Sequence, residues 1–492
     1  MKNTYKIIIG ICIIFLPALS CTKSVTLEPV SSISTASFWK TENDASGALV
    51  GMYARFRTPA ATSLFLWGEG RSQDMKASFG VDFTNTRLFN NTLDATDAGP
   101  DWGTLYTVVH DANLILKYVP TIKFASDAAK NNILAQAYTM RAYLYFVMVR
   151  TWGAVPLVTE PTEAYDPEII NKERTSVADV FISIKKDIEN AVTLFSDNTY
   201  SAGRNMWSKP GANALKADIF LWAGKRLNGG QADFTTALAA LNTIETSDIT
   251  LLPDFGRIFD YDNKGNKEII MAVNFKELES TGTFMANLYV FSGLPTNISP
   301  EAKATIGQVG GDNYWTLHEE TRLKFKDDDL RKKASFLEVY TRDAAGNYSV
   351  FFTTVQMKFN GVIISGVRNF YDDVVIYRYA DVLLMKAEAK NALGQDPSAD
   401  INKVRARAYG SNYAAHIFVN GSKDANDAAI LDERLLELLY EGKRWWDILR
   451  FGKAFELIPF FRDKIGQDFR LLYPLSLKVL SLEPKVIQNT GY

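Results

Sequence analysis

Apolar residues recur at three- and four-residue steps along much of this 492-residue chain, in runs of roughly 12–20 residues joined by short connections. The runs cover about 40–57, 102–119, 128–150, 176–195, 209–227 and 232–245, and resume at about 378–394, 398–408 and 427–450. Ile133, Ala137, Met140, Leu144 and Met148 show the pattern, since one helix turn separates each from the next and all fall on one stripe. Thr175-Ser176 ahead of one run and Asn228-Gly229-Gly230 behind another supply start and stop signals. A helix with one apolar stripe must bury it against another element. Paired runs therefore predict a mainly α fold of stacked helical hairpins, tetratricopeptide-like but without a clean 34-residue repeat. With 47% hydrophobic and 22% charged residues, the chain can bury a large core.

A second kind of territory interrupts the helices at about 60–100 and 251–375. It is rich in Asn, Thr, Gly, Tyr and Phe, with short strand-like pieces at Glu268–Val273 and Phe351–Val355. So long a loop-rich section inside a helical protein is expected to carry function, because binding residues are commonly borne on loops over a rigid scaffold.

The first residues predict the address. Lys2 and Lys6 precede the apolar run Ile7–Leu16, which as a helix would span about 15 Å, half of a bilayer core. Residues 1–20 thus read as a secretory signal peptide. Ala18-Leu19-Ser20-Cys21 resembles a lipobox, in which Cys21 is lipidated and becomes the new N-terminus. The other cysteine, Cys12, lies in the removed segment, leaving no disulfide and no thiolate site. Residues 21–34 then read as a lipidated tether and 35–492 as one domain, with helical scaffold at about 35–59, 101–250 and 376–492. A net charge of -2 argues against nucleic acid as a partner.

Chemical motifs are sparse. Glu433, Glu437 and Glu441 stand at four-residue spacing near Arg434, Arg444, Asp447 and Arg450. Paired carboxylates could serve a glycosidase, but acids bound among arginines in a helix stay ionised, whereas a general acid needs a raised pKa. An ion network fixing helix packing is the expected reading. Asp260–Gly265 opens like a calcium loop, but Lys264 occupies a ligand position and Met271 stands where the closing Glu belongs, so a turn is expected. Asp327-Asp328-Asp329 reads as a solvated helix end. His110, His318 and His416 lack metal-ligand spacing, and no phosphate-binding glycine loop occurs. No metal, no cofactor and no catalytic residue is expected.

Several blocks resemble the SusD/RagB family of outer-membrane nutrient-binding lipoproteins. They are Phe38-Trp39-Lys40-Thr41-Glu42-Asn43-Asp44-Ala45, Ala112-Asn113-Leu114-Ile115-Leu116, Arg141-Ala142-Tyr143, Trp152–Leu157, Tyr377–Ala389, Asn402–Ala408, Glu433–Leu438 and Glu441–Arg450, closed by Gln488-Asn489-Thr490-Gly491-Tyr492. Each is weak alone, and their order along the chain makes the set specific. The resemblance implies a SusD-like fold, a helical scaffold with an irregular ligand-binding region. It also implies a non-catalytic protein on the cell surface, delivering an oligosaccharide to a SusC-like TonB-dependent transporter. Alternatives are a RagB-like peptide receptor, a surface glycosidase and a ligand-free repeat scaffold.

Within the loop territory, aromatic faces suit sugar rings, and amides, acids and Arg suit hydroxyls. Two groups are expected at the ligand: Trp67, Arg71, Asp74, Phe79 and Asn90, and Tyr289, Phe291, Asn313, Tyr314 and Trp315. Trp315, flanked by polar residues, is expected to be partly exposed. Trp39, Trp102, Trp152, Trp207, Trp222, Trp445 and Trp446 are assigned to structure.

Overall fold

The computed structural model describes residues 38–492 except 81–84, 165, 280, 281 and 292; Cys21 and the expected signal peptide lie outside the described residues. The long helices, in chain order, are α1 (Glu42–Ala61), α2 (Gly103–Tyr118), α3 (Asp127–Trp152), α4 (Val177–Leu194), α5 (Lys209–Arg226), α6 (Gly230–Ile244), α7 (Tyr379–Ala392), α8 (Ser398–Tyr409) and α9 (Lys423–Leu438). Five of these helices, α1, α3, α4, α5 and α9, start at side chains that accept otherwise orphaned N–H groups. Thr41 and Asp44 form a capping box on α1. Ser126, Ser176, Ser208 and Ser422 cap α3, α4, α5 and α9 through the N–H three residues on. At the end of α3 stands Gly153 with φ 77°, which ordinary residues resist.

Consecutive helices pack as pairs: α2 on α3, α3 on α4, α5 on α6, then α7 on α6, α8 and α9. In α4 the packing stripe is Val180, Phe181, Ile184, Ile188 and Ala191, all buried. At about 1.5–3 kcal/mol per large apolar side chain, such stripes supply most of the scaffold's stability. The sequence expectation of a mainly α, hairpin-stacked scaffold is met.

The irregular territory contains four separate two-stranded antiparallel sheets rather than one layer. β1 (Met75–Ala77) pairs with β3 (Trp315–Leu317), and β2 (Ile269–Val273) with β8 (Val374–Arg378). β4 (Phe336–Arg342) pairs with β5 (Tyr348–Gln356), and β6 (Val362–Ile364) with β7 (Val367–Asn369). β2 and β8 are buried along their whole length, so they sit inside the core.

Buried ion networks lock this territory to the helices. Glu437 accepts from Arg378 at 2.6 Å and Arg331 at 3.1 Å, and from Arg407. Arg331 also reaches Glu433 at 2.7 Å and Asp329 at 2.8 Å. Glu441 pairs with Arg378 at 2.7 Å and Lys358 at 2.6 Å, and Glu268 with Arg378 at 2.9 Å and Arg407 at 2.8 Å. The expected network exists, but its cations are corrected. Arg331 and Lys358 come from the irregular region, Arg378 from the end of β8 and Arg407 from α8. Arg434 and Arg450 instead join a second network with Asp381, Asp447, Glu388 and Asp218, while Arg444 faces Asp74. Four-residue spacing put Glu433 and Glu437 on one face of α9, but did not show that the helix ends before Glu441, nor what would fold against that face. Asp329 is a further correction. It is 1% exposed, caps the Leu330–Ser335 helix and holds Arg331, whereas Asp327 alone of the triplet is fully solvated.

Candidate functional site

The β1–β3 ribbon joins the two stretches of irregular territory, pairing Met75 with Leu317 and Ala77 with Trp315. At one end Ser78 N–H donates to the Tyr314 carbonyl at 2.8 Å and Gly80 N–H to the Asn313 carbonyl at 3.0 Å. Gly80 is required there, since a Cβ would lie 2.2 Å from the Asp312 carbonyl oxygen. Asn313 takes φ 47°, a left-handed value that asparagine tolerates better than most residues. Its side chain is fully buried and bonds Ser78, whose hydroxyl lies 2.9 Å from that of Thr353 in β5. Thr316 and Thr354 repeat the link one step on, at 2.8 Å. These satisfied hydroxyls bind β5 across β3, so the ribbon end is rigid.

On that rigid end three phenylalanines meet. Phe79 has its ring centroid 5.3 Å from Phe291 and 4.7 Å from Phe352, tilted by 31° and 36°. All three are partly exposed. Tyr314, also partly exposed, continues the same strand end. Asp312 follows Gly311 nearby, its carboxyl raised by burial. The arrangement offers apolar ring faces with polar groups beside them, as stacking on a sugar ring or another flat apolar face requires.

The remaining expected site residues are placed elsewhere. Trp67 is 0% exposed, edge-packed on Trp152, and donates to the Pro100 carbonyl at 3.0 Å. Arg71 is buried among Trp445, Phe461 and Tyr473, and bonds Asn91 at 2.8 Å and the Leu472 carbonyl at 2.9 Å. Asp74 accepts from Thr321 at 2.8 Å and lies 3.3 Å from Arg444 Nε. Asn90 is exposed and closes the short Thr86–Phe89 helix. Tyr289 is buried beneath Arg368 and donates to the Ile306 carbonyl at 2.6 Å.

Trp315 overturns an expectation. It is 1% exposed and stacks on Phe65 at 5.6 Å, with Phe89 edge-on at 5.4 Å. Its polar neighbours misled because Asn313 and Thr316 are themselves buried and satisfied by Ser78 and Thr354. The two expected groups therefore converge only through Phe79 and Phe291. Phe352 was missed, since in sequence it is one of two adjacent aromatics in a strand, and nothing local says which turns toward Phe79. The tryptophans assigned to structure are buried as expected, apart from Trp39, which is partly buried and stacks on Tyr118 at 5.3 Å.

Glu437 and Glu441 lack the exposure and the raised pKa of a general acid. Burial raises Glu437, but Arg407, Arg378 and Arg331 outweigh it and hold the group far below the usual range. Burial likewise raises Glu441, and Arg378 and Lys358 outweigh it. Among the described residues no group of three or more His, Cys, Asp or Glu could hold a metal, and no helix is long and apolar enough to cross a membrane.

The sequence model described as "SusD family" matches residues 197–492, and one described as "Starch-binding associating with outer membrane" matches 56–221. The chain belongs to the SusD family. It is 30% identical to SusD-like protein P38 of Formosa agariphila, over 96% of each chain. It is 25% identical to a SusD-like protein of Bacteroides ovatus, over 91% of this chain and 82% of the relative. Among solved structures, B. fragilis NanU is 32% identical with a TM-score of 0.83, covering 95% of this chain and 100% of that one. A laminarin-binding SusD-like protein, 23% identical with a TM-score of 0.75 and covering 92% of this chain and 100% of its own, shares the fold.

Proposed function

We propose that this protein is a non-catalytic glycan receptor of the bacterial cell surface, anchored through lipid on Cys21, which passes oligosaccharide to a SusC-like TonB-dependent transporter in the outer membrane. The observation that carries the reading is the Phe79–Phe291–Phe352 platform, partly exposed on a hydrogen-bonded frame. Large apolar rings left facing water on a rigid support suit an apolar partner face, and the C–H face of a pyranose provides one. The family descriptions, starch-binding among them, and a laminarin-binding relative of the same fold support a glycan. Withdrawal of Glu437 and Glu441 into an arginine network supports a binding rather than a hydrolytic role.

The test is calorimetric titration with amylose oligomers, laminarin oligomers and a mixed peptide digest. A glycan is expected to bind, and Phe79→Ala with Phe291→Ala to weaken it tenfold or more, about 1.4 kcal/mol, at little change in melting temperature. Binding of peptides alone would move the protein to the RagB-like peptide receptors. Release of shortened glycan products would overturn the non-catalytic reading. Retention of Cys21→Ala in the membrane fraction of cells lacking the transporter would overturn the anchor.

A further inference from the structure

The opposite end of the β1–β3 ribbon opens on a different kind of surface. There His318 N–H donates to the Asp74 carbonyl at 2.8 Å, five residues and about 17 Å of strand from Phe79. Between this end and the Arg444–Arg450 helix with its following loop lies a cleft of ≈ 480 Å³, within the range of roughly 300–1,000 Å³ typical of small-ligand sites.

Its two walls differ. One is apolar, built by Ile448 and Ile458 at the floor and by Leu457 and Pro459 nearer the surface. The other is polar, with Gln73, Asp74, Thr321, Arg444 and His318. Asp74 Oδ2 and Arg444 Nε are buried and 3.3 Å apart, yet neither makes a hydrogen bond. Gln73 holds φ 55°, a strained value for a residue with a side chain, and such strain collects at binding sites. Its Oε1 accepts from Phe460 N–H at 3.2 Å, tying the ribbon to the loop that forms the apolar wall.

Charge narrows the ligand. Asp74 is offset by Arg444, and Lys324 by Asp432 at 2.7 Å. Arg462 and Glu320, also on the cleft, make no ion pair among the described residues and cancel in sum. A cleft with no net charge, one apolar strip and a wall of donors and acceptors matches an uncharged ring with C–H on one face and hydroxyls around its edge. No Phe, Tyr or Trp lines it, so stacking on a large apolar ring is not its mode.

We propose that this cleft is a second binding site, separate from the phenylalanine platform, that takes one neutral sugar unit or a polyol of that size. The apolar wall meets the ring, and Asp74, Gln73 and Arg444 on the polar wall take its hydroxyls. The site rests on its own residues, whatever binds at the platform.

The experiment is saturation-transfer NMR on the whole protein with D-glucose, D-galactose and D-glucuronate as probes. In the Phe79→Ala, Phe291→Ala background, which removes the platform, the expected result is transfer to at least one neutral hexose that adding Asp74→Asn or Gln73→Gly reduces fivefold or more. Gln73→Gly suits the left-handed backbone, so it removes the amide without adding strain. If Asp74→Asn fails to fold, Gln73→Gly and Arg462→Ala carry the test. In that background the proposal is overturned by absence of transfer to both neutral hexoses, by transfer that survives the cleft substitutions, or by a tenfold preference for glucuronate.

Discussion

Replacing Glu437 by glutamine keeps the shape of a side chain that is fully buried and removes one charge from the centre of the larger ion network. Three guanidiniums, Arg331, Arg378 and Arg407, converge on this carboxylate. Glutamine turns one acceptor oxygen into a donor facing a cation, and leaves a buried positive charge without its counterpart. Breaking a buried ion pair from one side costs about 3–5 kcal/mol. At about 2.1 cal/mol/K per residue, a cooperative unit of roughly 450 residues unfolds with an entropy near 0.95 kcal/mol/K, so the melting temperature should fall by about 3–5 °C. The pH dependence follows from the depressed pKa of Glu437. Its contribution is whole above the unfolded value of 4.5 and is lost as pH falls below that toward the folded value. The gap between wild type and Glu437→Gln should therefore be constant from pH 8 to about pH 5.5 and shrink only in more acid solution. Scanning calorimetry across that series measures it. A melting temperature unchanged at pH 7, or a gap that closes between pH 8 and 6, would refute the assignment of Glu437 as an ionised pivot.

Trp315→Ala should cost about 3–5 kcal/mol of stability, as for any large buried ring, and chemical denaturation with an unchanged m-value checks it. A melting curve like that of wild type would return Trp315 to the surface, where its sequence neighbours had suggested it lay. Asp372 is fully buried with neither carboxyl oxygen hydrogen-bonded through its side chain, and burial pushes its pKa up to about 7. The folded state then holds a proton that the unfolded state loses above 3.8, so Asp372 costs stability progressively as pH rises from about 4 to 7. Asp372→Asn should accordingly gain stability relative to wild type between pH 5 and pH 8, measured by thermal denaturation at both. A relative loss on raising the pH would contradict the protonated carboxyl.

Much of the scaffold was legible in local pattern. The stripe in α3, the Ser176 cap and the turn at Asn228-Gly229-Gly230 are all interactions within a few residues, which is the range over which helix periodicity and capping act. The ion network was half legible. Glu433 and Glu437 share one side of α9 because four residues make about one turn, whereas Glu441 lies past the helix end and is brought in by the turn that follows. Their cations Arg331, Arg378 and Arg407 come from distant segments, and only tertiary packing brings them there.

The ligand surface was less legible still. Phe79 and Phe291 were both candidates for being aromatic and loop-borne, as were Trp67, Tyr289 and Trp315, and composition alone could not separate them. What separates them is which way each ring faces once Ser78, Asn313 and Thr353 have tied β1, β3 and β5 together. That tie joins residues 235 and 275 positions apart in the chain. Whether a side chain is wet or dry is a property of everything packed around it, so the same Asn and Thr that read as solvent markers beside Trp315 are buried hydrogen-bonding partners. The sequence by itself determined the helices, their pairing and the family, because those rest on short-range spacing and ordered blocks. Only the tertiary structure decided which aromatic rings close the core and which stay partly exposed, Phe79, Phe291 and Phe352 among them.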